Sequence, residues 1–288
     1  MIFDSHIHTQ RYGGTPEENR RELLASMKKA GVSGGVILSM DPSEYTSISP
    51  ADRLQHVLDL CGEEKNLFPF YFIDPMCDTA LDEVEAAAKA NIMGFKIICS
   101  GFYPSHENVL AVCRRVAELD KPVIFHSGIL WDGKDSARYN RPGEFECLLD
   151  VPHLRFSLAH ISWPWCDECL AVYGKFNNAY SLRPDLSCEM YIDVTPGTPR
   201  NYRRQVFSNI FLGDYTMKYN MLFGTDCDTK NYGVSWTKEW IKRDTALYRE
   251  LVPDDSDDLI EHIYNKNLFR FLGLSNEKVN KIIPQVAV

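Results

Sequence analysis

The chain has 288 residues, of which 44% are hydrophobic and 25% charged, and its net charge is −9. That length fits one large α/β barrel or two ordinary domains, and the composition is that of an ordinary soluble globular protein. No basic block suits nucleic acid, and no run of about 18 apolar residues could span a bilayer.

Short β-branched or apolar runs alternate with amphipathic stretches along the chain. The strand-like runs cover roughly 1–5, 33–39, 67–73, 93–99, 122–126, 154–160, 187–194 and 219–225, each short enough for a buried parallel strand. Thr15-Pro16-Glu17-Glu18 is a helix start, with Thr15 as N-cap, Pro16 at the first helical position and Glu18 completing a capping box; Gly31 supplies the stop. Residues 105–119 show helical spacing through Val109, Leu110, Val112, Val116 and Leu119. Stretches 79–90, 198–212, 235–251 and 256–272 read as further helices. Strand–helix alternation repeated eight times predicts a (β/α)8 TIM barrel. With no linker-like stretch or repeat, one domain over residues 1–288 is the expectation. A doubly wound open sheet competes, but no glycine-rich phosphate loop follows the first strand.

Residues 1–20 carry two histidines, an aspartate and two arginines, too polar for the core of a signal peptide. The nine cysteines do not form a disulfide framework in a chain of this kind, so a cytoplasmic location is the default. Cys166-Asp167-Glu168-Cys169 has redox spacing, but no small βαβ domain surrounds it and no second Cys/His pair completes a zinc site. It reads as two cysteines on a helix face.

In a barrel of this type, reactive groups gather at the C-terminal ends of the strands. Strand one ends in His6-Ile7-His8, and alternation along a strand points both rings the same way. Two imidazoles on one face make half of a first-row metal site. Strand five ends in His126, strand six in His160 and strand eight in Asp226. A histidine closing an apolar strand is usually a hydrogen-bonded core residue. Four histidines and an aspartate on one predicted rim are a metal constellation.

This set resembles the amidohydrolase superfamily of metal-dependent barrel hydrolases. The closer similarity is to its amidohydrolase-related (amidohydrolase 2) branch, which includes lactonases, decarboxylases and hydratases. Supporting stretches are Gly94-Phe95-Lys96-Ile97, Ala137-Arg138-Tyr139-Asn140-Arg141-Pro142, Leu158-Ala159-His160 with Trp163-Pro164-Trp165, Tyr191-Ile192-Asp193-Val194 and Leu222-Phe223-Gly224-Thr225-Asp226. The resemblance implies that His6, His8, His126 and Asp226 hold one divalent ion, zinc first among candidates. The ion would lower the pKa of a bound water to about 7. Asp226 would take the water's proton, and His160 would polarise the substrate carbonyl or ligate a second metal. Lys96 would lie near the metal, either carboxylated as the bridge of a two-metal site or as an ammonium facing Asp226 or a substrate carboxylate. Trp131, Arg138 and Tyr139, in the long stretch after strand five, are expected substrate contacts, since a guanidinium can clamp a carboxylate bidentately. Arg200, Arg203 and Arg204 are next in line.

The expected activity is hydrolysis of a small carbonyl substrate, a lactone, ester or amide bearing a carboxylate. Decarboxylation or hydration by a lyase of the same branch is the alternative; some such decarboxylases replace the first histidine of the pair by glutamate, and His6 is intact. Histidinol-phosphatase-type phosphoesterases share His-x-His but want Thr-Asp-His after strand two and Asp-x-His near the end, and neither is present. TatD-type deoxyribonucleases want a glutamate where Lys96 stands. A small molecule is the expected partner, with no nucleic acid and no membrane; a homo-oligomer is compatible with the sequence.

Overall fold

The computed structural model describes residues 1–183, 188–196, 198–213 and 217–286. Its strands are β1 (Phe3–His8), β2 (Gly34–Leu38), β3 (Leu67–Phe72), β4 (Gly94–Ile97), β5 (Pro122–Phe125), β6 (Arg155–Leu158), β7 (Glu189–Asp193), β8 (Met221–Leu222) and β9 (Cys227–Asp228). They form one parallel sheet in the order β8-β7-β6-β5-β4-β3-β2-β1-β9. Each sequence-predicted strand is found within about two residues of its expected start, with Ser187 outside the described residues. The eighth strand is split: β8 pairs with β7, and β9 pairs with β1. Backbone bonds from Ser5 N–H to the Phe223 carbonyl (2.7 Å) and from Asp226 N–H to the His6 carbonyl (2.9 Å) bridge the split and close the sheet on itself. The fold is a (β/α)8 barrel.

The helices are α1 (Pro16–Ala30), α2 (Pro50–Cys61), α3 (Ala80–Lys89), α4 (Glu107–Glu118), α5 (Cys166–Leu182), α6 (Arg200–Phe211), α7 (Val234–Leu251), α8 (Ser256–Glu261), α9 (Asn267–Phe271) and α10 (Asn276–Val286). The capping box at Thr15 and Glu18 forms, and Gly31 closes α1 in the left-handed conformation at φ 85°. Strict alternation fails after β5. There the chain makes two 3-10 stretches, Ala137–Asn140 and Pro142–Asp150, rather than an α-helix. Pro142 has no N–H to donate and adjoins flexible Gly143, which suits a turn better than a helix interior. A π-helical turn at His262–Lys266 joins α8 to α9.

Two apolar layers frame the barrel. Outward residues such as Ile7, Phe95, Ile97, Val123, Phe125 and Phe156 pack in the layer shared with the helices. Inward residues Phe3, Val36, Leu38, Phe70, Ile124, Tyr191 and Leu222 fill the lower interior, and α9 plugs it from below through Phe269, whose ring meets that of Phe3 at 4.9 Å. With period-two alternation, the next inward position on each strand lies one layer higher. Above Ile124 comes His126, above Gly94 comes Lys96, and above Tyr191 comes Asp193. The interior thus changes from apolar to ionisable at the C-terminal rim.

β1 needs one correction to strict alternation. Phe3 and His6 are an odd number of residues apart yet both serve the interior. The register of β1 against β2 shifts between Asp4 and Ile7, and this bulge re-aims the strand. Opposite it, a side chain at Gly35 would begin 2.2 Å from the Asp4 carbonyl oxygen, so only glycine fits.

Candidate metal centre

His6 and His8 leave the bulged end of β1 with their Nε2 atoms 3.1 Å apart. Asp226 Oδ1 stands 3.2 Å from His8 Nε2 and 3.6 Å from His6 Nε2. Lys96 Nζ, from β4, lies 3.5 Å from His6 Nε2. The His160 ring is 5.4 Å from that of His6 and 5.1 Å from that of His126. His6, His160 and Asp226 each offer one donor atom, and the three lie within 4.8 Å of one another. His126 Nε2 is buried and has no hydrogen-bond partner among the described residues.

This donor set fits a divalent cation. His6 Nδ1 is occupied by Asp193 Oδ2 at 2.9 Å, so in the neutral ring the Nε2 lone pair faces the centre. Metal–nitrogen bonds of about 2.0–2.1 Å imply ligand–ligand edges of roughly 3.3 Å in a tetrahedron, close to the spacings among His6, His8 and Asp226. Imidazole nitrogen and carboxylate oxygen together suit zinc and its first-row neighbours.

Burial governs the protonation states. It lowers the His6 imidazole to about 4, helped by the Lys96 charge and opposed by Asp193. It also lowers His126, where His160 and Lys96 add to the effect, and His160, where Asp226 and Asp193 oppose it. Lys96 falls to about 8 through burial, against the pull of Asp193 and Asp226. For Asp226 and Asp193 burial acts upward, but the surrounding histidines outweigh it and hold both carboxyls well below the usual range.

Two of the key residues do not sit on their strands as expected. β6 ends at Leu158, and His160 belongs to the turn Ala159–Ser162, with positive φ at His160 (63°), Ile161 (48°) and Ser162 (55°). Asp226 lies in the gap between β8 and β9 at φ 57°. Left-handed backbone is costly for residues other than glycine, most of all for β-branched isoleucine. Such strain persists where surroundings impose it, and functional sites are where it concentrates. Asp193 Oδ1 imposes it on the first turn by accepting from the His160 backbone N–H at 2.8 Å. Gly224 leaves the necessary room, since a side chain there would begin 2.5 Å from Thr195 Cγ2 and 3.0 Å from His6 Cβ.

A cavity of about 900 Å3 opens above these residues, with Lys96, His126, His160 and Asp226 in its floor and Trp131 on its wall. Trp131 is 85% exposed. Arg138 and Tyr139 are not on that wall. The Arg138 guanidinium stacks over the Tyr139 ring at 4.9 Å, donates to its hydroxyl at 3.0 Å and pairs with Asp135 at 3.5 Å. Arg203 is buried in a two-pronged pair with Asp244, while Arg200 pairs with Glu239 and Arg204 with Glu250. Cys166 and Cys169 are buried free thiols in the first turn of α5.

Comparison with known proteins agrees with the fold. The profile of the Amidohydrolase family (Amidohydro_2) matches residues 3–274. The chain belongs to the amidohydrolase family. No curated protein matches it. Among solved structures, this amidohydrolase is similar to a zinc-bound amidohydrolase from Burkholderia multivorans, with a TM-score of 0.63 and 12% identity over 96% of this chain and 100% of that one. It is also similar to a probable 2-pyrone-4,6-dicarboxylic acid hydrolase from Acinetobacter baumannii with citric acid bound (TM-score 0.58, 14% identity, 95% and 99% covered). A 2,6-dihydroxybenzoate decarboxylase from Rhizobium gives 0.60 at 13% identity, covering 94% and 98%. At these identities the likeness is one of fold.

The layer behind the rim was not read from the sequence. Asp193 accepts from His6 Nδ1, from the backbone N–H of His160 and Thr195, and from the Thr195 hydroxyl. Asp4 accepts from the backbone N–H of His6 and Thr225 and from the hydroxyls of Thr225 and Tyr232. Asp193 stands in Tyr191-Ile192-Asp193-Val194, one of the stretches that carry the family likeness, and Asp4 lies two residues before His6 on the same strand. That was the available signal.

Proposed function

We propose that this amidohydrolase is a metal-dependent hydrolase acting on a small carbonyl substrate, a lactone, ester or amide that bears one carboxylate. The observation that carries the reading is the convergence of His6 Nε2, His8 Nε2 and Asp226 Oδ1 within 3.6 Å, with an orphaned His126 Nε2 in the same floor. His6, His8, His126 and Asp226 would hold one divalent ion, zinc being the first candidate. Bound there, such an ion supplies a Lewis acid for the carbonyl and acidifies a coordinated water. Asp226, ionised and partly open to the cavity, accepts the attacking water's proton and returns it to the leaving group. Lys96, without a carboxylate partner among the described residues, anchors the substrate carboxylate as an ammonium. Alternatively, Lys96, if carboxylated, would hold a second divalent ion together with His160.

The barrel's nine free thiols fit a reducing compartment, hence a cytoplasmic location. No helix among the described residues is long and apolar enough to cross a membrane.

The test is elemental analysis of purified protein followed by a screen of lactones, small amides and unsaturated carboxylic acids, reading acid release and carbon dioxide together. Close to one zinc per chain and acid release without carbon dioxide are expected. Metal-free protein after growth with metal supplied would sink the mechanism, and rapid carbon dioxide release would move the enzyme to the lyase reading.

A further inference from the structure

Thr195 has a role in this site that neither the strand pattern nor the ligand set assigns. Its Oγ1 lies 2.6 Å from Asp193 Oδ1 and 2.5 Å from His160 Nδ1. A hydroxyl carries a single proton. Asp193 Oδ1 already accepts from two backbone N–H groups, those of His160 and Thr195, and a carboxylate offers no proton in return. The Thr195 proton is therefore committed to Asp193, and the contact with His160 can form only if His160 Nδ1 is the donor. All three groups are fully or almost fully buried, so water cannot substitute for either bond, and a wrong tautomer would leave two acceptors facing each other.

We infer that Thr195 is a positioning residue that fixes the His160 ring as its Nδ1–H tautomer, so that Nε2 is the lone-pair nitrogen presented to the cavity. The same Asp193 carboxylate orders the other ring directly, since its Oδ2 takes the His6 Nδ1 proton. One carboxylate thus orients two imidazoles, His6 by contact and His160 through a hydroxyl relay. The consequence narrows the role of His160. A neutral ring with a bare Nε2 can ligate a cation or accept a proton, but it cannot donate a hydrogen bond to a substrate carbonyl. The inference depends on the hydrogen-bond pattern and not on the hydrolase reading.

The experiment uses full-length protein carrying isotope-labelled histidine, stripped of metal with a chelator and measured at mildly alkaline pH by long-range nitrogen–proton correlation. His160→Gln supplies the assignment. The wild type should show the His160 proton on Nδ1 and Thr195→Ser should keep it there. The isosteric Thr195→Val should shift it to Nε2 or to a mixture, because the methyl group accepts no hydrogen bond. A wild-type spectrum with the proton on Nε2 or on both nitrogens overturns the inference, and so does a Thr195→Val spectrum unchanged from the wild type. Should Thr195→Val fail to fold, the wild-type spectrum alone decides. Since no turnover is measured, failure here leaves the hydrolase reading standing, and the converse also holds.

Discussion

Replacing Asp193 by asparagine should weaken the candidate metal site without touching any of its proposed ligands. Three donors meet at Asp193 Oδ1: the backbone N–H of His160 at 2.8 Å, that of Thr195 at 3.2 Å and the Thr195 hydroxyl at 2.6 Å. The asparagine oxygen must take that position, which turns the amide nitrogen towards His6 Nδ1. Nδ1 then has to accept, its proton moves to Nε2, and the nitrogen that should face the cation carries a hydrogen instead. The interaction lost is a hydrogen bond to an ionised acceptor, worth about 1.5–3 kcal/mol. At 1.4 kcal/mol per tenfold that weakens zinc binding about 10- to 150-fold, overlapping the roughly 10- to 100-fold typical of groups that orient metal-bound histidines. The assay is zinc competition against a chromophoric chelator, with circular dichroism to confirm the fold. Asp193→Asn with zinc affinity within threefold of wild type would refute the reasoning. A stability signature accompanies the change. The folded-state pKa of Asp193 is depressed, so its contribution is complete above about pH 4, the unfolded value, and is lost as pH falls further. The stability gap between wild type and variant should narrow on acidification.

Further expectations follow from the same geometry. Asp226→Asn should keep the fold and lose turnover, because an amide of the same size cannot accept the water's proton; activity within tenfold of wild type would assign the base elsewhere. The cavity is lined by Asp41, Glu44, Asp74, Asp132, Asp226 and Asp228 against Lys96 and Lys134, so a second carboxylate on the substrate should raise KM, and added salt should relieve the penalty; equal KM values for mono- and dicarboxylates would contradict this. Arg138→Ala should leave KM within about twofold, since the guanidinium is exposed and engaged with Tyr139 and Asp135, a surface pairing of small worth; a steep rise for acids but not for their neutral esters would place it at the substrate. Burial pushes the Asp4 carboxyl up to about 7 against the hydrogen bonds of Thr225, His6 and Tyr232. The folded state therefore holds a proton that the unfolded chain releases near pH 4, and this group costs stability as pH rises from about 4 to about 7; Asp4→Asn should remove that slope in urea melts, and an unchanged slope would assign it to another residue.

The barrel was legible because its cause is periodic. Buried parallel strands such as Val36-Ile37-Leu38 and Pro122-Val123-Ile124-Phe125 are short apolar runs by necessity, and Thr15-Pro16-Glu17-Glu18 has one good use. The departures are where one residue breaks a period. Between β5 and β6, where the overall alternation implies a helix, Pro142 and Gly143 stand in 3-10 structure. Gly224 and the left-handed Asp226 split the eighth strand, and α2, entered through the Ser49 cap and Pro50, carries Leu54, Val57, Leu58 and Cys61 at helical spacing yet lies outside the predicted helices.

The candidate site divides along the same line. Residue type and strand-end position single out His6, His8, His126, His160 and Asp226, because only the rim of a barrel brings such groups together, and the family resemblance adds Lys96. The substrate contacts had no comparable support. Arg138 and Tyr139 lie in the stretch after a predicted strand end, yet the 3-10 turn that carries them directs Asn140 inward, to the carbonyls of Cys99 and Ser136, and leaves the arginine outside. Asp193 and Thr195 show the reverse case. Their work depends on a tautomer, which no sequence period encodes, and on a left-handed turn at His160 that holds its backbone N–H against the same carboxylate. The rim histidines stand out by type and position, but which ring nitrogen of His6 and His160 faces the cavity depends on the hydrogen bonds that their Nδ1 atoms make to Asp193 and Thr195 in the layer beneath.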